Sequence, residues 1–589
     1  MPVSRRFLFL FLFLSLLFLM ASCGSDIDSS SVRNDTNPVP SDVRPESVSG
    51  RFGGVLRYPL PGEPETFNPL AARESRSRLI SHLTNATLLE FDPVTQTIQA
   101  GVVKSYNWLD QDQTLHIALR EGVKFSDGVD LTTEDVLFTF EQIFNPASNN
   151  VLKDTLQIDG SRIEVTPLGP LEAEIRFPKA YSPGLYLLTT VPLLPRHCFE
   201  PLDGPIEEYW TLDTPADRFA GLGPFQLASH EPGRRTTLRF NPHYWRTDSE
   251  GSRLPYLDEI VFEYIEDRNT QILRLESGDL DLIEQVIRPE DLRLLEASPT
   301  IDTVDAGPSA NLIFFWFNQN PVDSADSGST AHQREWFSNL KFRRAISCLI
   351  SRETIIRNIF LGLASEASGI IPASNLNWFT RELETFRYDP ERGRALLREA
   401  GFTWEEGGQN RVLLDGIGRP VEFELLTRAD EVLGNIAAVI QQDLAEVGIR
   451  VSIRQEELRA AIGRIMGTRD YDSALMNLEF PTEPADMRSV LMSSGSMHIW
   501  NPSQERPASQ WEGRVDDLMR RQVEVSDHKE RFELFREVQS ILADQVPFTP
   551  LVNRNVLVAK RKQIAGLEVA LVFPYSLSRA WQIYHADDQ

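Results

Sequence analysis

The sequence predicts a mixed α/β fold with more than one lobe. Residues 421–425 alternate apolar and acidic side chains as a strand does, and residues 449–453 alternate apolar and polar side chains. Between them, apolar residues recur at helical spacing up to Gly448, so this region predicts a strand, a helix and a second, parallel strand. The chain has 589 residues, which is long enough for two to four domains.

Two further helices and one strand support this fold class. Thr132 and Asp135 have the spacing of a capping box, and apolar residues follow at helical spacing. The Asp-Pro pair at 389–390 is typical of a helix start, and Gly401 is typical of the stop that follows. The continuous apolar run 312–317 predicts a buried strand.

The charge of the chain argues against nucleic-acid binding. Its 85 acidic and 59 basic residues give a formal net charge of −26, whereas phosphate contacts need clustered Lys and Arg. The sequence contains no phosphate-binding loop, dinucleotide fingerprint, nucleophile elbow or His-Glu-x-x-His zinc motif. We therefore expect a binding protein rather than an enzyme, with no catalytic residue, cofactor or metal site. The adjacent pair His197 and Cys198 offers metal or nucleophile chemistry, but packing is the favoured interpretation.

The N-terminus is typical of a bacterial lipoprotein export signal. Arg5 and Arg6 precede an apolar run at 7–20, which is too short to span a bilayer. The Ala-Ser-Cys-Gly that follows resembles a lipobox, which predicts removal of residues 1–22 and lipidation of Cys23. The alternative is an ordinary signal peptide followed by a chance cysteine. Residues 23–50, rich in Ser, Asp, Asn and Pro, predict a flexible tether.

These segments predict a location outside the cytoplasm. We expect a membrane-anchored lipoprotein in the periplasm or on the outer face of the cytoplasmic membrane. In that oxidising compartment, Cys198 and Cys348 either form a disulfide or remain two unpaired thiols.

Several sequence blocks together resemble one bacterial family. The most specific runs from 119 to 136 and begins LREGVKFSDG. The others, in chain order, are ETFNPL at 65–70, GLGPF at 221–225, RFNPHYW at 239–245, LKFRRAI at 340–346, and the segments 388–402 and 442–449. In order and spacing they resemble the extracellular solute-binding proteins of family 5, which are the oligopeptide-, dipeptide- and nickel-binding proteins of ABC importers.

The resemblance implies a two-lobed periplasmic-binding-protein-like fold with an extra domain inserted in the first lobe. Mapped onto this chain, the first lobe comprises 51–84, 221–309 and 550–589, the inserted domain 85–220, and the second lobe 310–549. The ligand is expected in the cleft between the lobes, enclosed by hinge closure. The implied partners are a permease and its ATPase subunits, and the protein is expected to work as a monomer.

The resemblance also implies which segments face the ligand. After the Asn-Pro turn of the ETFNPL block, the candidates are Arg73, Glu74 and Ser75. An exposed-loop interpretation of these three residues is equally open. Arg459 is a candidate partner for a ligand carboxylate, with a solvated helix residue as its alternative.

The second ligand-facing segment departs from the family pattern. Many peptide binders have a Trp followed three residues later by an Asp that pairs with the ligand's α-amino group. Here Asn477 and Phe480 occupy those two positions, so the usual anchor is missing, and Glu479 or Glu483 is expected to substitute.

The predicted function is capture of a peptide or similar small solute for an ABC importer. One alternative is a protein of the same fold used as a sensor or chaperone, or for a sugar or metal chelate. A less favoured alternative is an exported hydrolase.

Overall fold

The computed structural model describes residues 37–38, 50–150, 152–200, 202, 204–284, 287–321, 331–405 and 412–586. The predicted export signal, the predicted lipidation site Cys23 and nearly all of the predicted tether lie outside these residues. Across the described ranges, no helix combines the length and apolarity needed to cross a membrane.

The first lobe is built on a four-stranded sheet. Its strands, in spatial order, are Phe225–Glu231, Arg235–Phe240, Glu259–Tyr264 and Val55–Leu60. The last two strands run parallel. The lobe's α-helices are Ser75–Thr84, Arg268–Ser277 and Pro289–Leu295. Near the C-terminus it adds the strand pair Ile564–Ala565 and Tyr584–His585 and the 3-10 turns Tyr575–Leu577 and Ala580–Gln582.

The inserted domain has a five-stranded antiparallel sheet. Its strands, in spatial order, are Asn37–Pro38, Val103–Leu109, Thr114–Leu119, Glu172–Arg176 and Glu164–Pro167. Two short strand pairs accompany them, Glu90–Asp92 with Thr97–Gln99 and Gln157–Ile158 with Ser161–Arg162. Its helices are Thr133–Ile143, Leu152–Thr155, Gly184–Leu188 and Arg196–Phe199, with 3-10 turns at Ile206–Glu208 and Ala216–Arg218.

The chain leaves and re-enters the first lobe at one point. A Cβ atom on Gly221 would lie 1.9 Å from the carbonyl oxygen of Thr84, and one on Gly223 would lie 2.4 Å from that of Leu83. Only residues without a side chain permit this close backbone approach. The two glycines of the GLGPF block therefore fix the base of the inserted domain.

A larger sheet extends into the second lobe. Its strands, in spatial order, are Leu282–Glu284, Phe548–Arg561, Ile301–Phe317, Ser473–Glu479, Glu422–Arg428 and Arg450–Glu456, and Ala364–Glu366 pairs with Phe548–Arg561. The helices that follow Phe317 are Ala331–Ser338, Leu340–Leu349, Arg352–Asn358, Pro390–Glu399, Glu431–Ala445, Leu458–Ile462, Arg488–Leu491, Gln510–Arg521 and His528–Gln545. Shorter elements are the π-helix Gly463–Thr468, the 3-10 helix Pro484–Met487 and the strand pair Thr403–Trp404 with Leu413–Leu414.

Two long strands join the lobes. Ile301–Phe317 and Phe548–Arg561 pair antiparallel from Ile301↔Arg561 to Trp316↔Phe548. Their register is irregular between Asp305 and Leu312, and Gly307 has a φ of 101° there. Such interruptions disrupt a ladder locally and bend the strands.

The sequence-predicted elements are confirmed. Thr132 and Asp135 form the capping box of helix Thr133–Ile143. Asp389 caps Pro390–Glu399, and the strand, helix and parallel strand occur at Glu422–Arg428, Glu431–Ala445 and Arg450–Glu456. The run 312–317 is a strand buried on both faces, because Ile313, Phe315 and Phe317 enter one core while Leu312, Phe314 and Trp316 enter the other.

Candidate functional site

The second-lobe sheet presents one edge where three parallel strands end. Glu422–Arg428 runs parallel to both Arg450–Glu456 and Ser473–Glu479, so their carboxyl ends share this edge. In open α/β sheets, ligands bind outside the carboxyl ends of the strands. Glu479 ends the third of these strands and pairs in register with Asn311, next to the irregular stretch of the crossing strands. The edge therefore lies at the junction of the lobes.

Glu479 is exposed at this edge and contacts the first lobe. The hydroxyl of Tyr575 donates a hydrogen bond of 3.2 Å to its Oε1. Burial, followed by the nearby Glu479 charge, raises the pKa of Tyr575, so this hydroxyl keeps the proton that it donates. The contact brings a carboxylate of the second lobe against a first-lobe segment.

The neighbouring predicted ligand positions have other partners. Asn477 donates from Nδ2 to Asn311 Oδ1 at 3.2 Å. The structure places the Phe480 side chain in the second-lobe core, where it is 2% exposed and packs 6.1 Å from the ring of Phe314. An aromatic ring at this position gains more from burial than from facing a wet cleft.

Glu483 forms a buried ion pair with Arg531. The side chains of Glu483 and Arg531 are 7% and 6% exposed, and two guanidinium nitrogens of Arg531 bond to the Glu483 carboxylate. Glu483 also accepts a hydrogen bond of 3.0 Å from the backbone N–H of Ala485. Of the two acids predicted to replace the missing aspartate, Glu479 is therefore the one with an open carboxylate.

Asp486 is a further, half-buried acid three residues after Glu483. Burial, reinforced by the Glu483 charge, raises the pKa of Asp486 to about 7. Burial, followed by the Asp486 charge, raises the pKa of Tyr186 of the inserted domain. The Tyr186 hydroxyl lies 3.0 Å from Thr482 Oγ1 of the second lobe. The segment 482–486 thus forms part of the contact between the second lobe and the inserted domain.

The first-lobe candidates surround the start of helix Ser75–Thr84. Glu74 is its N-cap and accepts hydrogen bonds from the N–H groups of Arg76 at 2.5 Å and Ser77 at 2.7 Å. Ser75 is exposed on the first turn. Arg73 is also exposed, and its Nη2 donates to the carbonyl of Asn149 at 2.5 Å. The Glu74 carboxylate therefore has a structural partner, whereas Ser75 faces solvent.

Arg78 lies on the same helix, three residues after Ser75. Its guanidinium is exposed and lies 4.7 Å from the ring centroid of Phe573. In the part of the chain that the structure describes, no carboxylate forms an ion pair with it. Stacking on an aromatic ring holds the cation in place while leaving its N–H donors available.

Arg459 follows the strand Arg450–Glu456 and is exposed on helix Leu458–Ile462. The Glu457 carboxylate caps this helix by accepting from the N–H of Arg459 at 2.8 Å. Arg459 thus lies at the same edge of the sheet as Glu479. The strand that precedes Arg459 is separated from the strand of Glu479 by one intervening strand.

A cavity of about 890 Å³ opens between the first lobe and the inserted domain. Arg73, Arg78 and Phe573 line it from the first lobe, and Tyr186 lines it from the inserted domain. Its size is within the range of small-molecule sites. Tyr186, on the cavity wall, also contacts Thr482 of the second lobe, whereas the residues that line the cavity belong to the first lobe and the inserted domain.

Other charges in this cavity are already paired. Arg246 forms an ion pair with Glu90 and stacks 4.6 Å from the ring centroids of both Trp245 and Trp581. Arg579 bonds to Asp92 at 2.5 Å. These pairs hold the inserted domain against the first lobe and leave Arg73 and Arg78 as the exposed cations of the wall.

The two described cysteines are unpaired. Cys348 is buried in the second lobe, and Cys198 is half-buried in the inserted domain. Burial raises the pKa of the Cys198 thiol to about 12. Of the two alternatives left open by the sequence, the structure shows two free thiols.

Several site residues were missed by the sequence analysis. Arg78 has a local signal, because it lies three residues after Ser75 on one helix face and His82 follows four residues later. Asp486 and Tyr575 have no local signal, since only the tertiary fold brings each of them close to residues that are distant in the sequence.

Comparison with known proteins identifies the family. The family model described as "Bacterial extracellular solute-binding proteins, family 5 Middle" matches residues 97–497. A probable ABC transporter-binding protein of Deinococcus radiodurans is 26% identical over 93% of this chain and 95% of its own length. The oligopeptide-binding protein AppA of Bacillus subtilis is 25% identical over 93% of each chain.

A solved structure shows the same fold. The ABC transporter substrate-binding protein CtaP of Listeria monocytogenes superposes with a TM-score of 0.76 at 20% identity, covering 91% of this chain and all of its own. These relatives are solute-binding proteins rather than enzymes. Since the family model spans more than half of the chain, this protein belongs to the bacterial extracellular solute-binding proteins of family 5.

Proposed function

We propose that this chain is the substrate-binding lipoprotein of an ABC importer and captures a peptide or peptide-like solute between its lobes. Family membership supports solute binding. The observation that favours a peptide is the exposed Glu479 carboxylate on the second lobe, held by Tyr575 of the first lobe. An ammonium group entering the cleft there would meet a carboxylate in place of the missing aspartate.

The opposite charge is available on the first lobe. Arg78 is an exposed guanidinium stacked on Phe573, and Arg73 lies on the same cavity wall. A peptide carries an ammonium at one end and a carboxylate at the other, so Glu479 and Arg78 offer one partner for each. Main-chain groups between the ends would be bound without side-chain selectivity.

Lobe closure is proposed to enclose the ligand. Besides the contact between Tyr575 and Glu479, Arg288 of the first lobe pairs with Glu431 of the second at 2.8 Å. The irregular stretch of the crossing strands would act as the hinge. Ligand that contacts both lobes shifts the equilibrium to the closed form, which the permease and its ATPase subunits would recognise.

Glu479→Gln should weaken binding of peptides with a free α-amino group by roughly ten- to a hundredfold. A hydrogen bond to a charged group contributes about 1.5–3 kcal/mol, and each 1.4 kcal/mol is a factor of about ten in affinity. For the same peptides after N-acetylation, Glu479→Gln should change the affinity little, because these peptides have no ammonium to pair with Glu479. Isothermal titration calorimetry with both peptide sets measures the difference.

A matched control is Glu533→Gln, an exposed acid of the same lobe that pairs with Arg536 at 2.6 Å. It should leave both affinities unchanged. Equal loss for free and acetylated peptides would show that Glu479 acts on closure rather than on the ammonium. If no peptide binds the unaltered protein at millimolar concentration, the peptide proposal is wrong.

Cys23→Ser should release the protein from membranes. We propose that residues 1–22 are removed, that Cys23 bears lipid, and that residues 23–50 form a tether. Acyl chains contribute about 0.8 kcal/mol for each buried CH₂, so their loss removes the anchor. Fractionation of cells with immunodetection measures the change, and a Ser22→Ala variant should stay in the membrane fraction. Membrane retention of Cys23→Ser would disprove the lipid anchor.

The proposed lobe division is 51–84, 221–309 and 550–589 for the first lobe, 85–220 for the inserted domain and 310–549 for the second. We also propose that the protein works as a monomer. Native mass spectrometry of gently purified protein gives the assembly mass and the mass of any co-purified solute in one measurement. A dimer mass at micromolar concentration would contradict the proposal.

A further inference from the structure

A group of metal-ligating side chains lies on the inserted domain, away from the cleft. Asp127 is on the turn that precedes helix Thr133–Ile143, and His197 and Cys198 are in Arg196–Phe199. One carboxylate oxygen, one ring nitrogen and the thiol sulfur of these residues all lie within 4.8 Å of one another. We propose that Asp127, His197 and Cys198 bind a zinc ion.

The donor set matches the chemistry of zinc. Zinc takes thiolate sulfur at about 2.3 Å and imidazole nitrogen and carboxylate oxygen at about 2.0–2.2 Å. In tetrahedral geometry these bond lengths place ligand atoms ~3.5 Å apart. His197 Nε2 and Asp127 Oδ2 are now 2.7 Å apart, so they need only separate slightly while the thiol moves in. Thiolate and imidazole together disfavour magnesium and calcium, which prefer oxygen.

The carboxylate and the imidazole are held in place by the fold. Asp127 uses Oδ1 to accept the N–H of Val129 at 3.1 Å, which orients Oδ2 toward His197 Nε2. The ring of His197 packs at 5.6 Å against that of Phe125, edge to face. The turn itself is fixed by backbone hydrogen bonds, such as that from Ser126 N to Gly221 O at 2.9 Å. Such support keeps ligands oriented before the metal arrives.

A solvent ion can reach the site. Asp127 and His197 are exposed and Cys198 is half-buried. The positive charge of the neighbouring Arg196 is compensated by Glu134 at 3.0 Å and Glu200 at 2.6 Å. On binding, two protons must move. The Cys198 thiol releases its proton to water and becomes a thiolate ligand, and the proton that His197 Nε2 donates to Asp127 is exchanged through water to Nδ1, so that the neutral imidazole binds through Nε2.

A fourth ligand position remains to be filled. His243 lies beside the same turn, because its Nε2 is 3.4 Å from the position that a Cβ atom on Gly128 would occupy. Zinc with three protein ligands completes its tetrahedron with water or another ligand. The bound ion would tie the turn at 126–128 to helix Arg196–Phe199 and stabilise the inserted domain by mass action.

The test is cobalt and zinc titration of the full chain, reduced and freed of metal by a chelator. Cobalt bound through sulfur gives a thiolate charge-transfer band in the near ultraviolet, which zinc should abolish by displacement. Cys198→Ser should remove the band, and His197→Gln and Asp127→Asn should weaken binding by at least ~10–100-fold. Two control variants should keep the band. Cys348→Ser alters the buried thiol of the second lobe, and His116→Gln alters a histidine of the inserted domain.

Thermal unfolding adds a second measurement. Zinc should raise the unfolding temperature of the unaltered protein and of Cys348→Ser, and should leave that of Cys198→Ser unchanged. Circular dichroism without metal confirms that each variant is folded. The proposal is overturned if micromolar cobalt gives no thiolate band, or if the band persists in Cys198→Ser.

Discussion

Arg531→Met is expected to destabilise the second lobe by about 3–5 kcal/mol, the usual cost of removing one member of a buried ion pair. Arg531 bonds through two nitrogens to Glu483 and through Nε to Gln522 Oε1 at 2.8 Å. Its guanidinium also stacks 4.8 Å from the ring centroid of Trp378. Methionine fills much of the same volume, but it leaves the Glu483 carboxylate buried without a counter-ion. The midpoint of urea unfolding measures the loss.

The control for Arg531→Met is Arg536→Met on the same helix. Arg536 pairs with Glu533 at the surface, with both side chains half exposed, so its loss should cost no more than about 1 kcal/mol. Adding Glu483→Gln to Arg531→Met should recover part of the stability, because the uncompensated charge is then gone. Equal effects of the two arginine variants would mean that the buried pair contributes nothing beyond a surface pair.

Much of the fold could be predicted because its signals are local. The capping box at Thr132 and Asp135 and the Asp-Pro start at 389–390 are fixed by hydrogen bonds within four residues. The strand, helix and strand at 422–456 are given by apolar spacing. Each of these patterns is set by backbone geometry alone, so neighbouring residues suffice to identify it.

The candidate site depends on contacts that no local pattern contains. Glu479, Glu483 and Asp486 lie within eight residues and are chemically similar, yet the structure leaves the first open, pairs the second with Arg531 and half-buries the third. Their partners Tyr575, Arg531 and Tyr186 come from three distant parts of the chain. Sequence reasoning could therefore name two of the acids as alternatives but could not choose between them.

Asp486→Asn is expected to make the protein more stable above pH 7. Burial raises the pKa of Asp486 to about 7, whereas in the unfolded chain the carboxyl has its ordinary value of 3.8. Between these two pH values the folded state binds more protons than the unfolded state, so stability falls as pH rises from about 4 to 7 and stays low above it. Asparagine is never ionised and escapes this loss, which we place at roughly 2–4 kcal/mol at pH 8.

The effect of Asp486 is isolated by the difference in free energy of unfolding between Asp486→Asn and the unaltered protein, measured at several pH values. Urea unfolding at pH 4.5, 6 and 8 should show a stability gain for Asp486→Asn that grows with pH. Asp517→Asn, which removes an exposed acid paired with Arg514 at 3.0 Å, controls for the loss of one charge. A gain that is constant with pH, or equal in the two variants, would exclude the buried ionisation as its cause.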